Sequence, residues 1–169
     1  MEVMGIITPK LAENADIYIF TMWTVYPEWK AAIELLGLEV KQLLVWEKGY
    51  PGMGDLEHNW GCGHELIIYA KKGNRPVAYR RRAVITIDRV PGGKNIHPTE
   101  KPVTLLEMLV EMSTDPGDLI VDPYAGSGST IWAAQRKGRL GIGIEMNQNY
   151  AEAANERLGQ VGFTFEYEE

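Results

Sequence analysis

A glycine-rich turn between an apolar run and a helix-forming stretch lets bare backbone approach a ligand. Glycine adopts left-handed conformations at no steric cost, and a helix start offers unpaired amides and a positive dipole end. Asp122-Pro123-Tyr124-Ala125-Gly126-Ser127-Gly128-Ser129-Thr130 has this composition, and Glu145 closes the next apolar run. That separation is close to the spacing of about 20 residues at which an acidic side chain meets ribose hydroxyls in a βαβ nucleotide site. Turn and carboxylate together suit an adenosine-containing cofactor, although a plain strand-to-helix connection followed by a surface glutamate gives the same pattern. A dinucleotide fingerprint needs a third glycine for helix packing, and position 131 is Ile131, which disfavours NAD. A phosphate-cradling loop is disfavoured as well, because Gly92-Gly93-Lys94 runs into Asn95 and position 88 is Asp88.

The elements that must position these residues are readable from periodicity. Asp118 to Asp122 predicts a short buried strand, Gly126 to Lys137 a loop leading into a helix, Gly138 to Glu145 a second strand and Gln148 to Leu158 a second helix. This alternation predicts a parallel βαβ unit and an α/β fold. Upstream, Ala15 to Phe20 predicts a buried strand. Trp29, Ala32, Ile33 and Leu36 have helical spacing after Pro27 and before Gly37, Val40 to Trp46 and Leu66 to Tyr69 predict two more strands, and Val103 to Met112 predicts a helix. A long glycine-rich loop runs from Gly49 to Gly63. Such a loop inside a compact domain is more often functional than filler.

The chain of 169 residues, 45% hydrophobic and 24% charged, fits one ordinary globular domain. A single cysteine, Cys62, excludes an internal disulfide framework, and the sequence lacks an 18-residue apolar run and a secretory leader pattern, so a cytoplasmic location is expected. The net charge of -6 excludes nucleic-acid binding through bulk positive charge. Basic residues nevertheless gather in the middle, with Arg80, Arg81 and Arg82 consecutive, while Pro76, Pro91, Gly92 and Gly93 break any long element there. This patch reads as a phosphate-contacting surface or as a solvated loop. His58, Cys62 and His64 match no common zinc spacing, so no metal is expected.

Three ordered motifs carry a resemblance. His97-Pro98-Thr99-Glu100-Lys101-Pro102, then Asp122 to Thr130, then Gly141-Ile142-Gly143-Ile144-Glu145 through Tyr150 resemble the successive motifs of DNA amino-methyltransferases. These S-adenosylmethionine-dependent enzymes of restriction-modification systems methylate adenine N6 or cytosine N4, and the order here is that of the permuted class, with cofactor motifs last. Glu100 and Tyr124 stand where the family usually has Gln and Phe. The resemblance implies a Rossmann-like sheet with helices on both faces, incomplete at its amino-terminal side. It divides the chain into a partial catalytic half at 1–70, a basic connecting or DNA-facing segment at 71–102, and a cofactor half at 103–169. Asp122, Pro123, Tyr124, Gly126, Ser127, Gly128 and Glu145 would line the cofactor, His97, Pro98, Thr99 and Lys101 would close the pocket, and Arg80, Arg81 and Arg82 would face DNA.

The family holds the target amine with an Asp-Pro-Pro-Tyr-type motif. The chain contains no Pro-Pro pair, and only Met1 to Ala15 precede the strand at Asp16, where the permuted order would put that motif. The resemblance therefore implies S-adenosylmethionine and DNA as ligands and no catalytic residue assignable in this chain, the motif being missing through truncation, through a split gene with a second polypeptide supplying it, or through loss of function. A non-catalytic cofactor- and DNA-binding remnant or regulator is the alternative. A small-molecule methyltransferase using the same βαβ site is disfavoured by His97 to Pro102.

Overall fold

The computed structural model describes residues 2–49, 57–90 and 100–159. It divides into two compact units, Met1–Asp88 and Arg89–Glu169. The first contains helix α1 (Glu2–Ile7), a 3-10 turn (Thr8–Lys10), strand β1 (Ala15–Thr21), helix α2 (Tyr26–Leu35) and strands β2 (Glu39–Glu47), β3 (His64–Lys72) and β4 (Val84–Thr86). The strands form one sheet in the order β1-β3-β2-β4, with β3 antiparallel to both neighbours and β4 parallel to β2. The three strands and the helix after Pro27 expected for this unit are present. Sequence patterning missed α1, the 3-10 turn and β4, which are too short to show a period.

Strand β3 sits in the middle of the sheet, and Leu66 to Lys71 are all buried. This explains a near-continuous apolar run rather than an alternating one. Ile68 and Ala70 pack on one face with Ile33 of α2 and Leu38, and Ile17, Ile19, Trp29 and Met4 extend that cluster. On the opposite face Tyr18 stacks on Tyr69 at 5.1 Å and Phe20 meets Trp46 edge-on at 6.3 Å, while the Trp46 indole donates to the Ile87 carbonyl at 2.7 Å. Strand β1 is only half-buried, where the sequence predicted full burial, because it is an edge strand of this sheet.

One charged pair is enclosed between β1 and β3. Lys71 Nζ lies 2.8 Å from Asp16 Oδ1, across the register pair Asp16 and Lys71, and donates to the Tyr69 hydroxyl at 2.9 Å and the Arg75 carbonyl at 2.5 Å. The Tyr69 hydroxyl donates to Asp16 Oδ2 at 3.1 Å. Burial, and after it the Asp16 charge, push the Tyr69 phenol well above its ordinary range.

The second unit contains helix α3 (Val103–Ser113), strand β5 (Leu119–Asp122), helix α4 (Ser129–Arg136), strand β6 (Leu140–Gly143) and helix α5 (Gln148–Gly159). Strands β5 and β6 are parallel, from Leu119 opposite Leu140 to Asp122 opposite Gly143, so the predicted βαβ unit is present. Helix α3 buries Leu105, Leu106, Met108, Leu109 and Val110. The strands alternate rather than being fully buried. Leu119 and Leu140 are 55% and 58% exposed, whereas Ile120 and Gly141 turn inward. Ile131 of α4, 1% exposed, takes up the inward side. A Cβ on Gly141 would lie 2.8 Å from Ile131 Cγ2, and one on Gly143 would lie 2.9 Å from the Ala125 Cβ. Among the described residues, no helix is long and apolar enough to cross a membrane.

Two outcomes are expected. Lys71→Met leaves the Asp16 carboxylate enclosed without its cation and should cost about 3–5 kcal/mol in urea unfolding. The double variant Asp16→Asn/Lys71→Met should cost clearly less than Lys71→Met alone, and equal costs would show that the uncompensated Asp16 carboxylate is not the source of the penalty. Gly141→Ala forces a methyl into Ile131 and should cost about 1–3 kcal/mol by the same measurement; an unchanged midpoint would mean that α4 yields freely.

Candidate functional site

The site is built where β5 ends. Past Asp122 the strand ladder continues through two further bonds, from the Ile144 amide to the Asp122 carbonyl and from the Ala125 amide to the Ile144 carbonyl, both 2.9 Å. The chain then turns through Gly126 (φ 53°) and Gly128 (φ 73°), with the Gly128 amide donating to the Ala125 carbonyl at 2.8 Å. Both glycines occupy the left-handed region that disfavours side chains. Gly128 is also the N-cap of α4, which has no side-chain cap among the described residues. Its first-turn amides therefore receive no N-cap side chain and carry the partial positive charge of the helix start.

The extended ladder delivers Glu145 to the same place. Its Oε2 accepts from the Gly126 amide at 2.9 Å and its Oε1 from the Asn147 amide at 2.8 Å. Asn147 in turn accepts the Asn149 amide at 3.0 Å and the Tyr150 amide at 3.4 Å, which caps α5. Glu145 thus holds the turn of one βα connection and the start of the next helix together. Each carboxylate oxygen carries two lone pairs, so the carboxylate keeps capacity for further donors such as hydroxyls. Asp122 Oδ1 accepts the Tyr124 amide at 3.0 Å, and the Tyr124 ring beyond it is 70% exposed.

Beneath the turn lies a residue that sequence reasoning missed. Arg157 of α5 donates through Nη1 to the Ser127 carbonyl at 3.1 Å, to Ser127 Oγ at 3.4 Å and to Ser129 Oγ at 3.1 Å. Through Nη2 it donates to Glu100 Oε1 at 2.6 Å. The Ser127 and Ser129 hydroxyls are 3.1 Å apart and buried. Helix α5 comes this close because position 128 has no side chain, and a Cβ there would meet the Ala154 Cβ at 3.1 Å. The only signal for Arg157 in the sequence was a basic residue in a last helical turn, which commonly complements the helix dipole.

The remaining candidates are distributed as follows. Lys101 is half-buried just before Pro102, the N-cap of α3. His97, Pro98 and Thr99 lie outside the described residues, as do the glycine-rich stretch 50–56 and the segment 91–99. Arg80, Arg81 and Arg82 are exposed in the first unit, between β3 and β4, with the Arg81 guanidinium 5.0 Å from the Tyr79 ring centre. Asp122 to Gly128 and Glu145, by contrast, are brought together in the second unit. Among the described residues, no three of His, Cys, Asp or Glu gather as a metal-holding group.

A model of the N6/N4 DNA methylase family matches residues 1–156. YubD of Escherichia coli (strain K12), named as a methylase, is 36% identical over 151 residues, which are 89% of this chain and 65% of that protein. The type II methyltransferase M.HpaI of Haemophilus parainfluenzae is 44% identical over 62 residues, 37% of this chain and 20% of that one. The chain thus spans just under two thirds of the first of these relatives and a fifth of the second. Among solved structures, the M1.HpyAVI-SAM complex superposes with a TM-score of 0.81 at 27% identity, covering 93% of this chain and 80% of that one. The PvuII cytosine-N4-specific DNA methyltransferase shares the fold, with a TM-score of 0.76 at 18% identity over 92% of this chain and 67% of that one. The α/β architecture is accordingly the Rossmann-like one of DNA methyltransferases, and the chain belongs to the DNA methylase family of S-adenosylmethionine-dependent amino-methyltransferases.

Proposed function

We propose that this chain binds S-adenosylmethionine at the turn after β5 and presents DNA to it, for methylation of adenine N6 or cytosine N4. The observation that carries the reading is the Glu145 carboxylate bonded to the Gly126 amide, at the mouth of a turn containing two left-handed glycines. The donor set fits the cofactor. Acceptor capacity on Glu145 suits ribose hydroxyls, the uncapped start of α4 suits a carboxylate, and the open face of Tyr124 and the acid of Asp122 suit a sulfonium. When bound, the cofactor supplies an electrophilic methyl group.

The chain's own residues then have separate tasks. Gly126 and Gly128 let backbone approach the methionine part, and Ser127 contributes backbone there, since its hydroxyl is engaged by Arg157. Asp122, Pro123 and Tyr124 shape the strand end, and Glu145 fixes the ribose. His97, Pro98, Thr99 and Lys101 close the pocket from the segment before α3. Arg80, Arg81 and Arg82 contact phosphates, a local patch on a chain of net charge -6. Direct attack by a base amine needs alignment and removal of its charge rather than a covalent intermediate. The Asp-Pro-Pro-Tyr-type motif for that task is not present in the 169 residues. In this reading it is supplied from outside them, by further chain of the same protein or by a second polypeptide in the cytoplasm. The alternative reading is a non-catalytic cofactor- and DNA-binding regulator, and the two part when the missing motif is supplied.

Titration calorimetry of the purified chain should show S-adenosylmethionine binding. Gly126→Leu, which puts a bulky side chain at φ 53° against the ligand, should weaken it by at least about 30-fold, a loss of roughly 2 kcal/mol or more. Equal affinities would move the cofactor away from this turn. Incubation with duplex DNA and labelled cofactor should give binding without turnover by the chain alone. Efficient methylation by it would sink the requirement for an outside motif, and a partner carrying that motif that fails to restore turnover would favour the regulator.

A further inference from the structure

Arg157 is bonded to three stretches that are separate in sequence. Its own helix, α5, packs under the turn through Ala154 and Leu158, whose nearest atoms would lie 3.1 Å and 3.3 Å from a Cβ on Gly128. Its Nη1 holds the carbonyl and hydroxyl of Ser127 and the hydroxyl of Ser129. Its Nη2 holds Glu100, a side chain only 3% exposed in the segment leading to α3, while Arg157 itself is 22% exposed. A carboxylate so enclosed is tolerated beside a cation, and a guanidinium is the side chain whose planar fork can bond a carboxylate on one nitrogen and a carbonyl with two hydroxyls on another. Glu100 stands where the resemblance leads one to expect a neutral glutamine, and Arg157 accounts for the acid.

We propose that Arg157, anchored by Glu100, is a positioning residue for the cofactor turn. It fixes the conformation of Ser127 to Ser129 from below and couples that turn to the segment at Glu100 and Lys101, so that both walls of the pocket are set together. Arg157 acts through Ser127, Ser129 and Glu100, whose bonds it fills from beneath the turn. Its effect on binding is therefore one of geometry. The proposal rests on the cofactor site placed at this turn, and the test separates the two.

The first readout needs no cofactor. Hydrogen exchange of the purified chain is compared with that of Arg157→Met, which keeps the apolar stem and removes the donors. Faster exchange is expected at the amides of residues 126–132 and, in parallel, at 100–101 and 103, with the β3 amides unchanged. The second readout is S-adenosylmethionine titration well below each variant's Tm. A loss on the order of tenfold is expected for Arg157→Met, with Arg157→Lys recovering part of it. Should Arg157→Met not fold, Glu100→Gln/Arg157→Gln leaves no unpaired charge and should show the same local loosening. Wild-type exchange at the turn in a folded variant overturns the positioning role, as does a lowered Tm with unchanged exchange and affinity. A wild-type chain that binds no S-adenosylmethionine overturns the assigned cofactor site instead, and the exchange comparison then still decides whether the clamp exists.

Discussion

The site depends on how closely α4 can lie on the β5–β6 pair. Gly141 and Gly143 leave the inward face of β6 bare, and Ile131 fills the gap they create. That contact fixes the depth of α4, and the depth fixes where its uncapped first turn and the preceding loop emerge beyond the strands. In a dinucleotide site, the close approach of helix and strand comes from a glycine on the helix side. Here the bulky residue is on the helix and the small ones are on the strand. The steric problem is the same and its solution is inverted, so a missing third glycine in the loop excludes one fingerprint without excluding the close packing.

On that scaffold the polar groups are used twice. Glu145 ties its strand end to the Gly126 amide and starts α5 through Asn147, so a residue suited to meet a ligand also holds the loop that meets it. Binding and local order are consequently coupled, because donors that compete for Glu145 must leave its backbone bonds intact. The carboxylate can satisfy both because each oxygen accepts twice. Arg157 relieves the turn of a second burden. It donates to the inward-facing Ser127 carbonyl and to the buried Ser127 and Ser129 hydroxyls, which also bond each other.

Most of the regular structure was legible in the sequence, because the long elements are periodic and their breaks are marked by glycine and proline. Leu66 to Tyr69 read as a strand for the same reason that they are buried on both faces. What escaped was of three kinds. Elements such as Val84–Thr86 are shorter than any period and exist through pairing, in this case with Val45 to Glu47. Exposure of β1 and β5 depends on the neighbours of a strand, which apolar content does not encode. Arg157 and Glu100 are far apart in the chain, and a buried ion pair leaves no local pattern. The core of the site, Asp122 to Gly128 with Glu145, was legible because its chemistry is local: a turn, a strand end, and the next strand end.

The distribution of charge sets a division of labour. A chain with net charge -6 has no long-range attraction for a polyanion, so the DNA contact proposed for it has to come from the concentrated cations of one segment. In the function proposed above, that role falls to Arg80, Arg81 and Arg82, which are exposed in the first unit. In the same proposal the acidic groups of the second unit, Asp122 and Glu145, meet a cofactor that carries positive charge at the atom to be transferred, so that each unit would present the sign opposite to that of its ligand. Neither set of charges reaches the step between them, in which a neutral base amine must be held and deprotonated. That step calls for acceptors at hydrogen-bond range rather than for a field, so in the proposed function binding of the two ligands and transfer between them are separable.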